Sequence, residues 1–298
     1  MAQPAPGRRA GPLFFGRPGP SSSVKRGYVR VVGAALLIGA LVMLGLTLSS
    51  GAHPSNRDYA PFGGCPLSNP ATDICIFAQS ESGELTIGKK TIPIVRTVTL
   101  QGGIHQDEAT GRQEFIGATD GNTLSKAVQV IPGGLRGIGA DVTASIELAR
   151  PASSIGVSTQ NLIEARGTGL SLPVKVKLSN ALLGESCYIG SNANPIVIAL
   201  TTGGTDTTRR SRGHEPLTGK PGHAKFEDEY NLTTIKEEAL VSESFAAPQA
   251  EGCGGVLSAR VDSAVNAALG LPVAAGHNEA ILNGTLRDAN APAVKASG

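Results

Sequence analysis

Short runs in which apolar and polar residues alternate recur along most of the chain after residue 65. The clearest run spans 142–148 (VTASIEL), and a second spans 174–179 (VKVKLS). Alternation with a period of two is typical of half-buried antiparallel strands. Weaker runs, bounded by turn residues, predict further strands at 75–78, 84–87, 97–100, 114–118, 127–131, 188–189, 196–200 and 240–245. The pattern therefore predicts a mainly β domain, either an antiparallel sandwich or a barrel-like sheet.

Two segments depart from simple alternation. Pro93 lies inside the run 91–95, and because proline cannot donate a ladder hydrogen bond, we expect an edge strand there. The segment 255–269 has apolar residues at helical spacing and is followed by Gly270 and Pro272, which predicts a C-terminal amphipathic helix. We expect this helix to cover one face of a sheet with Leu257, Val261, Ala264, Val265 and Ala268.

A third segment, 203–236, has few residues typical of strands or cores. It contains the polar stretch TDTTRRSRGHEPLTGKPGHAKFEDE and predicts a long mobile loop within the domain. Such a loop is either a solvated insertion or a place where a partner binds.

The N-terminal region carries a membrane-targeting pattern. Residues 31–48 form an apolar run without charge or proline, preceded by a tail, 1–30, that has six basic residues and no acidic one. The basic side remains in the cytoplasm under the positive-inside rule, which predicts a transmembrane signal anchor with an extracytoplasmic C-terminal domain. The alternative is a secreted protein, because Ser50-Gly51-Ala52 offers a small-residue cleavage site near Ala52. We divide the chain into a disordered basic cytoplasmic tail (1–30), the anchor (31–48), a linker (49–64) and an exported β-rich domain (65–290).

Charge and composition limit the partners. The chain has 26 Lys and Arg, six of them in 1–30, which leaves 20 basic residues against 24 acidic ones after the apolar run. A mildly acidic exported part argues against nucleic acid as a partner. The absence of tryptophan argues against a surface that stacks rings on sugars or bases. The expected contacts are the membrane, through 31–48, and an envelope protein or lipid.

All four cysteines, Cys65, Cys75, Cys187 and Cys253, fall in the exported part. An even number in an oxidising compartment predicts two disulfides, since the C-x2-C spacing of metal sites is absent. Three pairings are open. We favour Cys65 with Cys75 and Cys187 with Cys253.

Candidate chemistry is sparse. His105, Asp107 and Glu108 lie close together in GGIHQDEATG and offer three metal-ligand atoms, although neither a calcium-hand nor a zinc-protease frame surrounds them. The glycine-rich stretch 132–139 (PGGLRGIG) lacks the Lys-Ser/Thr of a phosphate loop and predicts turns. His277 is the only histidine near a predicted core, and no G-x-S-x-G elbow is present. We therefore expect no catalytic residue, no metal and no cofactor.

Several segments carry a resemblance to a known group of proteins. They are GCPLSNPATDIC, IGKKTIPIVRTVTLQGG, DGNTLSKAVQVIPGG, LARPASSIGVSTQNL, LPVKVKLSNALLGESCYIGSNANPIVIALTTG, SFAAPQAEGCGG and LGLPVAAGHNEAILNGTL. Over roughly 65–286 the chain resembles uncharacterised exported, membrane-anchored proteins of actinobacteria. The resemblance implies an envelope location and brings no activity or catalytic residue with it.

Together these observations favour a non-catalytic, membrane-anchored cell-envelope protein that holds or contacts another envelope component. The alternative is an extracytoplasmic domain that binds an apolar small molecule or lipid between sheet and helix. An enzyme is the third hypothesis.

Overall fold

The computed structural model describes residues 58–205, 215–227 and 231–297. This part of the chain is mainly β, as predicted. Its strands in chain order are β1 (Ile74–Ile87), β2 (Lys90–Pro93), β3 (Val98–Gln106), β4 (Gln113–Gly117), β5 (Gln129–Val130), β6 (Thr143–Leu148), β7 (Gly156–Val157), β8 (Leu170–Ser179), β9 (Tyr188–Ile189), β10 (Ile196–Leu200), β11 (His223–Glu227), β12 (Leu232–Ser242), β13 (Ala250–Glu251) and β14 (Glu279–Asn290). The α-helices are α1 (Thr159–Glu164), α2 (Ser258–Leu269) and α3 (Ala291–Ala296).

These strands form two antiparallel sheets that are not closed into a barrel. The first sheet has the order β11-β12-β14-β1-β3-β4, and β2 pairs with the second half of β1. The second has the order β13-β9-β8-β6-β5, and β7 and β10 also pair with β8. A bridge between Thr201, which follows β10, and Val241 of β12 connects the two sheets.

The inner side chains of the two sheets belong to one hydrophobic cluster. Ile104 and Phe115 of the first sheet and Val174 and Val176 of the second are members, each at most 2% exposed. Burial of apolar surface on this scale is the main stabilising term of such a domain. The alternation that predicted β6 and β8 reflects this packing, since one side of each strand faces the cluster.

Helix α2 confirms the predicted C-terminal helix, with a difference at its start. Residues Gly255–Leu257 form a 3-10 turn, and Leu257 is exposed rather than packed on the sheet. Val265 and Leu269 are buried, and Gly270 ends the helix in the left-handed conformation that glycine adopts at low cost. The short helix α3 follows β14 and was not predicted.

The central strands of the first sheet were predicted incompletely. The runs 75–78 and 84–87 are parts of one strand, β1, which is interrupted by an irregularity between Ser80 and Ser82. Strand β14, between β1 and β12, was not predicted because Asn283-Gly284 and Arg287-Asp288 interrupt its alternation. A side chain at Gly284 would collide with the carbonyl oxygen of Gln79, so the close approach of β1 requires glycine there.

Two predicted boundaries need correction. The segment 203–236 contains β11 and the start of β12, so the prediction of one long loop was wrong for its described part; 206–214 and 228–230 lie outside the described residues. The predicted linker 49–64 ends too late. Tyr59 and Phe62 are buried in a second small cluster with Cys65, Cys75 and residues of β14 and α3. The edge strand predicted around Pro93 is confirmed as β2, which pairs in the described chain with β1 alone.

The predicted tail 1–30, the anchor 31–48 and the cleavage site near Ala52 lie outside the described residues. Among the residues that are described, no helix has both the length and the apolar character needed to span a bilayer.

A buried asparagine links the start of β14 to its surroundings. The Asn278 side chain is fully buried, accepts a hydrogen bond from the Gly88 N–H at 2.9 Å and donates one to the Phe245 carbonyl at 2.9 Å. We expect Asn278→Ala to lower the free energy of unfolding by about 2 kcal/mol, because both backbone groups lose their partner. Urea unfolding measures this. His277→Ala, at the exposed neighbouring position, should cost less than about 0.5 kcal/mol, and equal losses would contradict the assignment.

Candidate functional site

The three side chains that were considered as possible metal ligands, His105, Asp107 and Glu108, do not converge. His105 is the penultimate residue of β3 and places Nδ1 2.9 Å from Asp73 Oδ2, whereas Asp107 folds back into the β3–β4 turn. Asp107 Oδ1 accepts hydrogen bonds from the N–H groups of Ala109 and Thr110 at 3.0 and 2.8 Å. Within the ranges that the structure covers, no group of three or more His, Cys, Asp or Glu side chains could hold a metal ion.

The pair of Asp73 and His105 joins the start of β1 to the end of β3. Asp73 Oδ2 also accepts a hydrogen bond from the Gln106 N–H at 2.8 Å. This bond, followed by the His105 contact, holds the pKa of the Asp73 carboxyl below its ordinary value. A carboxylate that orients an imidazole is one part of a catalytic triad, but a nucleophile must complete it. The open cleft of about 610 Å³ beside the pair is lined by Asp73, Ile74, His105, Gln106, Asp107, Glu108 and Ala109, none of which is a hydroxyl or thiol nucleophile.

Sequence reasoning missed a buried carboxyl in β12. Glu238 is 5% exposed, and its Oε1 has no hydrogen-bond partner in the described chain. Burial raises the pKa of Glu238 to about 7. The register of β12 against β14 shifts between Ile235 and Glu238, and Glu237 has a φ of 57°. This bulge changes the alternation and turns Glu238 inward instead of Glu237.

A second carboxyl with a raised pKa lies on β14. Asp288 is half-buried, and burial raises its pKa to about 6, although a hydrogen bond with the Thr233 side chain opposes the shift. In the register of β12 and β14, Asp288 is opposite Thr233 and Glu238 is opposite Gly284, four residues away on β14. At about 3.4 Å per residue the backbone positions are roughly 14 Å apart.

Asp288 lines an open cleft at the β11 end of the first sheet. The cleft has a volume of about 460 Å³, and Ile74 lines both it and the His105 cleft. Phe226 of β11 lines this cleft, and its side chain is 63% exposed. The remaining lining residues are Glu227, Asn231, Leu232, Thr233 and Asn290. No sequence pattern indicated this cleft, because β11 lies in the segment that was predicted as a loop.

A third cleft, of about 440 Å³, lies against the charged side of β11. His223 and Lys225 of β11 line it together with Lys236, Glu237 and Arg287. Lys225 Nζ is 2.7 Å from Glu227 Oε1, and His223 Nε2 is 3.6 Å from Glu237 Oε2. These pairs are exposed to solvent and contribute little to stability. Strand β11 therefore presents one exposed aromatic ring and alternating charges.

The outer face of the second sheet carries a polar cluster that is satisfied internally. Lys175 Nζ lies 4.6 Å from the centre of the Tyr188 ring and 4.0 Å from Glu147 Oε2. The Tyr188 hydroxyl donates to Glu147 Oε2 at 3.4 Å. Burial, and then the Glu147 charge, raise the pKa of Tyr188. Each member has a partner within the cluster, which suits a role in holding β6, β8 and β9 together.

The glycine-rich stretch 132–139 forms the predicted turns. Leu135 N–H donates to the Gly139 carbonyl at 2.9 Å, and the Leu135 and Ile138 side chains are buried. Gly134 has a φ of 56°, and a side chain there would collide with the Gly139 carbonyl oxygen. The glycines therefore allow a tight turn, and the stretch does not open a helix as a phosphate loop would.

Both favoured disulfides are present, Cys65–Cys75 and Cys187–Cys253. The four cysteines are at most 5% exposed. Two disulfides indicate an oxidising, extracytoplasmic environment. Comparisons of the chain with models of protein families, with curated proteins and with solved structures gave no match.

Proposed function

We propose that the protein is a non-catalytic, membrane-anchored cell-envelope protein whose exported domain contacts another envelope component. The observation that carries the proposal is the pair of buried disulfides in the domain that follows a basic tail and an apolar segment. Disulfides persist outside the cytoplasm, and the basic residues before 31–48 orient the chain with its C-terminal part outside. The resemblance to exported actinobacterial proteins supports the same location.

The arrangement of the ionisable side chains supports a role without catalysis. Asp73 fixes His105 and a backbone N–H at the junction of two strands, where it serves the fold. The two carboxyls with raised pKa, Glu238 and Asp288, belong to different strands, and only Asp288 lines the cleft beside Phe226.

We expect the full-length chain to fractionate with the membrane and to retain residues 1–48. The apolar run 31–48 is near the length that a bilayer requires. Fractionation of cells and culture fluid, with the intact mass of the mature protein, tests this. A soluble protein that begins at His53 would show cleavage after Ala52 and would refute the anchor.

The cleft between Ile74, Phe226 and Asp288 favours a second candidate function, the binding of an apolar small molecule or lipid. Its lining combines the apolar side chains of Ile74, Phe226 and Leu232 with a half-buried carboxyl and four other polar residues. The space beneath α2 is filled by Val265 and Leu269, so we place such a ligand at this cleft. Native mass spectrometry of the purified chain before and after solvent extraction separates the candidates. A bound mass that extraction removes supports the ligand, and an unchanged mass supports the contact function.

A further inference from the structure

The two edge strands of the first sheet, β4 and β11, differ in how far other parts of the described chain cover them. At one edge, β4 is covered: Gln113 Nε2 donates to Thr159 Oγ1 at 2.9 Å, and the Thr159 N–H donates to Gln113 Oε1 at 2.9 Å. A side chain at Gly117 would contact Ala152, so the turn Ala152–Ser154 also lies close to this edge. At the other edge, β12 is the only described strand that pairs with β11. Edge strands offer backbone donors and acceptors to another extended chain.

We propose that β11 pairs antiparallel with β11 of a second copy of this chain and so joins the first sheets of two molecules across a two-fold axis. A two-fold interface requires a self-complementary surface, since each residue meets its counterpart. Strand β11 (HAKFE) has this property, because a basic and an acidic residue flank its exposed aromatic ring.

Charge selects the register of the pair. With Phe226 on the two-fold axis, Lys225 of each chain lies opposite Glu227 of the other, and two attractive cross-strand pairs form. With Lys225 on the axis, the two lysines face each other, which is destabilising. Lys225 is 75% and Glu227 29% exposed, and the two form an ion pair within the strand at 2.7 Å, which they exchange for the pairs with the second chain. The register centred on Phe226 is therefore favoured.

The aromatic ring adds apolar area to the same register. Phe226 is 63% exposed, and the two rings meet at the axis in the proposed pair. Aromatic cross-strand pairs contribute about 0.2 to 1 kcal/mol in addition to the burial of area. Phe226 also borders the Asp288 cleft, so the second chain covers part of that cleft.

A pair of five-residue strands buries little surface, so the association is weak in dilute solution. Confinement to a membrane raises the effective concentration of the domains. The inference rests on the proposed function to this extent only, since the complementarity of β11 does not depend on the anchor.

The test is the dimer fraction of the full-length chain, purified in detergent and measured by native mass spectrometry over a range of protein concentrations. We expect a concentration-dependent dimer for the wild type. Lys225→Glu and Glu227→Lys each place like charges opposite each other twice, and each should weaken the dimer about tenfold. The double variant K225E/E227K recreates both pairs and should restore the dimer. Phe226→Asp should weaken the dimer as strongly as a single charge reversal. The control is Val256→Asp, which replaces a fully exposed apolar residue away from β11 and should leave the dimer unchanged.

A zero-length carbodiimide crosslink in native membranes identifies the contact. Peptide mapping of the crosslinked dimer should find Lys225 of one chain joined to Glu227 of another. A wild-type monomer at every concentration, a dimer that both single charge reversals leave intact, or a double variant that stays monomeric would overturn the proposal. Failure of the anchor is seen separately, as the protein in culture fluid, and the dimer fraction of the purified chain can then still be measured in solution.

Discussion

Glu238→Gln is expected to raise the free energy of unfolding by about 3 kcal/mol at pH 8 and by less than about 1 kcal/mol at pH 5. Burial moves the pKa of this carboxyl from 4.5 to about 7 in the folded domain. Between these values the folded state keeps a proton that the unfolded state has released, so stability falls as the pH rises from about 4.5 to about 7 and then stays low. A pKa shift of this size corresponds to about 3 kcal/mol of stability. Glutamine does not ionise, so the variant does not lose this stability at high pH.

Urea unfolding at pH 5, 6, 7 and 8 measures the effect. Glu237→Gln is the matched control, because the neighbouring side chain is 79% exposed and should show the pH dependence of the wild type. The free energy of unfolding of Glu238→Gln should still fall as the pH rises from 5 to 6, because the pKa of Asp288 is also raised, to about 6. If Glu238→Gln and the wild type lose stability in parallel between pH 6 and 8, Glu238 is not the group that titrates.

Replacing Cys187 and Cys253 together by alanine is expected to lower the free energy of unfolding by about 4 kcal/mol. The bond closes a loop with a sequence separation of 66, against 10 for Cys65–Cys75, and the longer loop restrains the unfolded chain more. In the folded domain it lies beside the backbone hydrogen bond from Gly254 N–H to the Leu183 carbonyl, 2.7 Å long. We therefore expect the two loops to remain adjacent when the bond is removed, and most of the effect to arise in the unfolded state.

The comparison is the double alanine variant of Cys65 and Cys75. Because its loop is shorter, we expect this variant to lose about 3 kcal/mol in free energy of unfolding. Both variants are measured by urea unfolding under the same non-reducing conditions. A loss below about 1 kcal/mol for the Cys187 and Cys253 variant, or a larger loss for the Cys65 and Cys75 variant, would contradict the loop-length account.

Alternation predicted the strands whose two faces differ in polarity. Strands β6 and β8 were found because one face packs in the core and the other meets solvent. Strand β14 and the first half of β12 were missed because Asp288 and Thr233 place polar groups on the face that elsewhere is apolar. These segments form strands because they pair with neighbouring strands, and their own residue pattern does not indicate a strand.

The disulfides could be predicted from the number and spacing of the cysteines, whereas the other side-chain contacts could not. Asp73 and His105 are 32 residues apart in the chain and meet only because β1 pairs with β3. The burial of Glu238 depends on a bulge of one strand against another, which no local pattern indicates. The edge position of β11 could not be predicted either, because an edge strand can be recognised only when the order of the strands in the sheet is known.

The topology of the chain in intact cells tests the central claim most directly. A membrane-impermeant amine reagent, followed by peptide mass spectrometry, reports which lysines face the outside. The account predicts that Lys126 and Lys225, 71% and 75% exposed, are labelled in intact cells, and that Lys25 is labelled only after permeabilisation. Protection of Lys126 and Lys225 until the membrane is opened would place the domain inside the cell and contradict the proposed function.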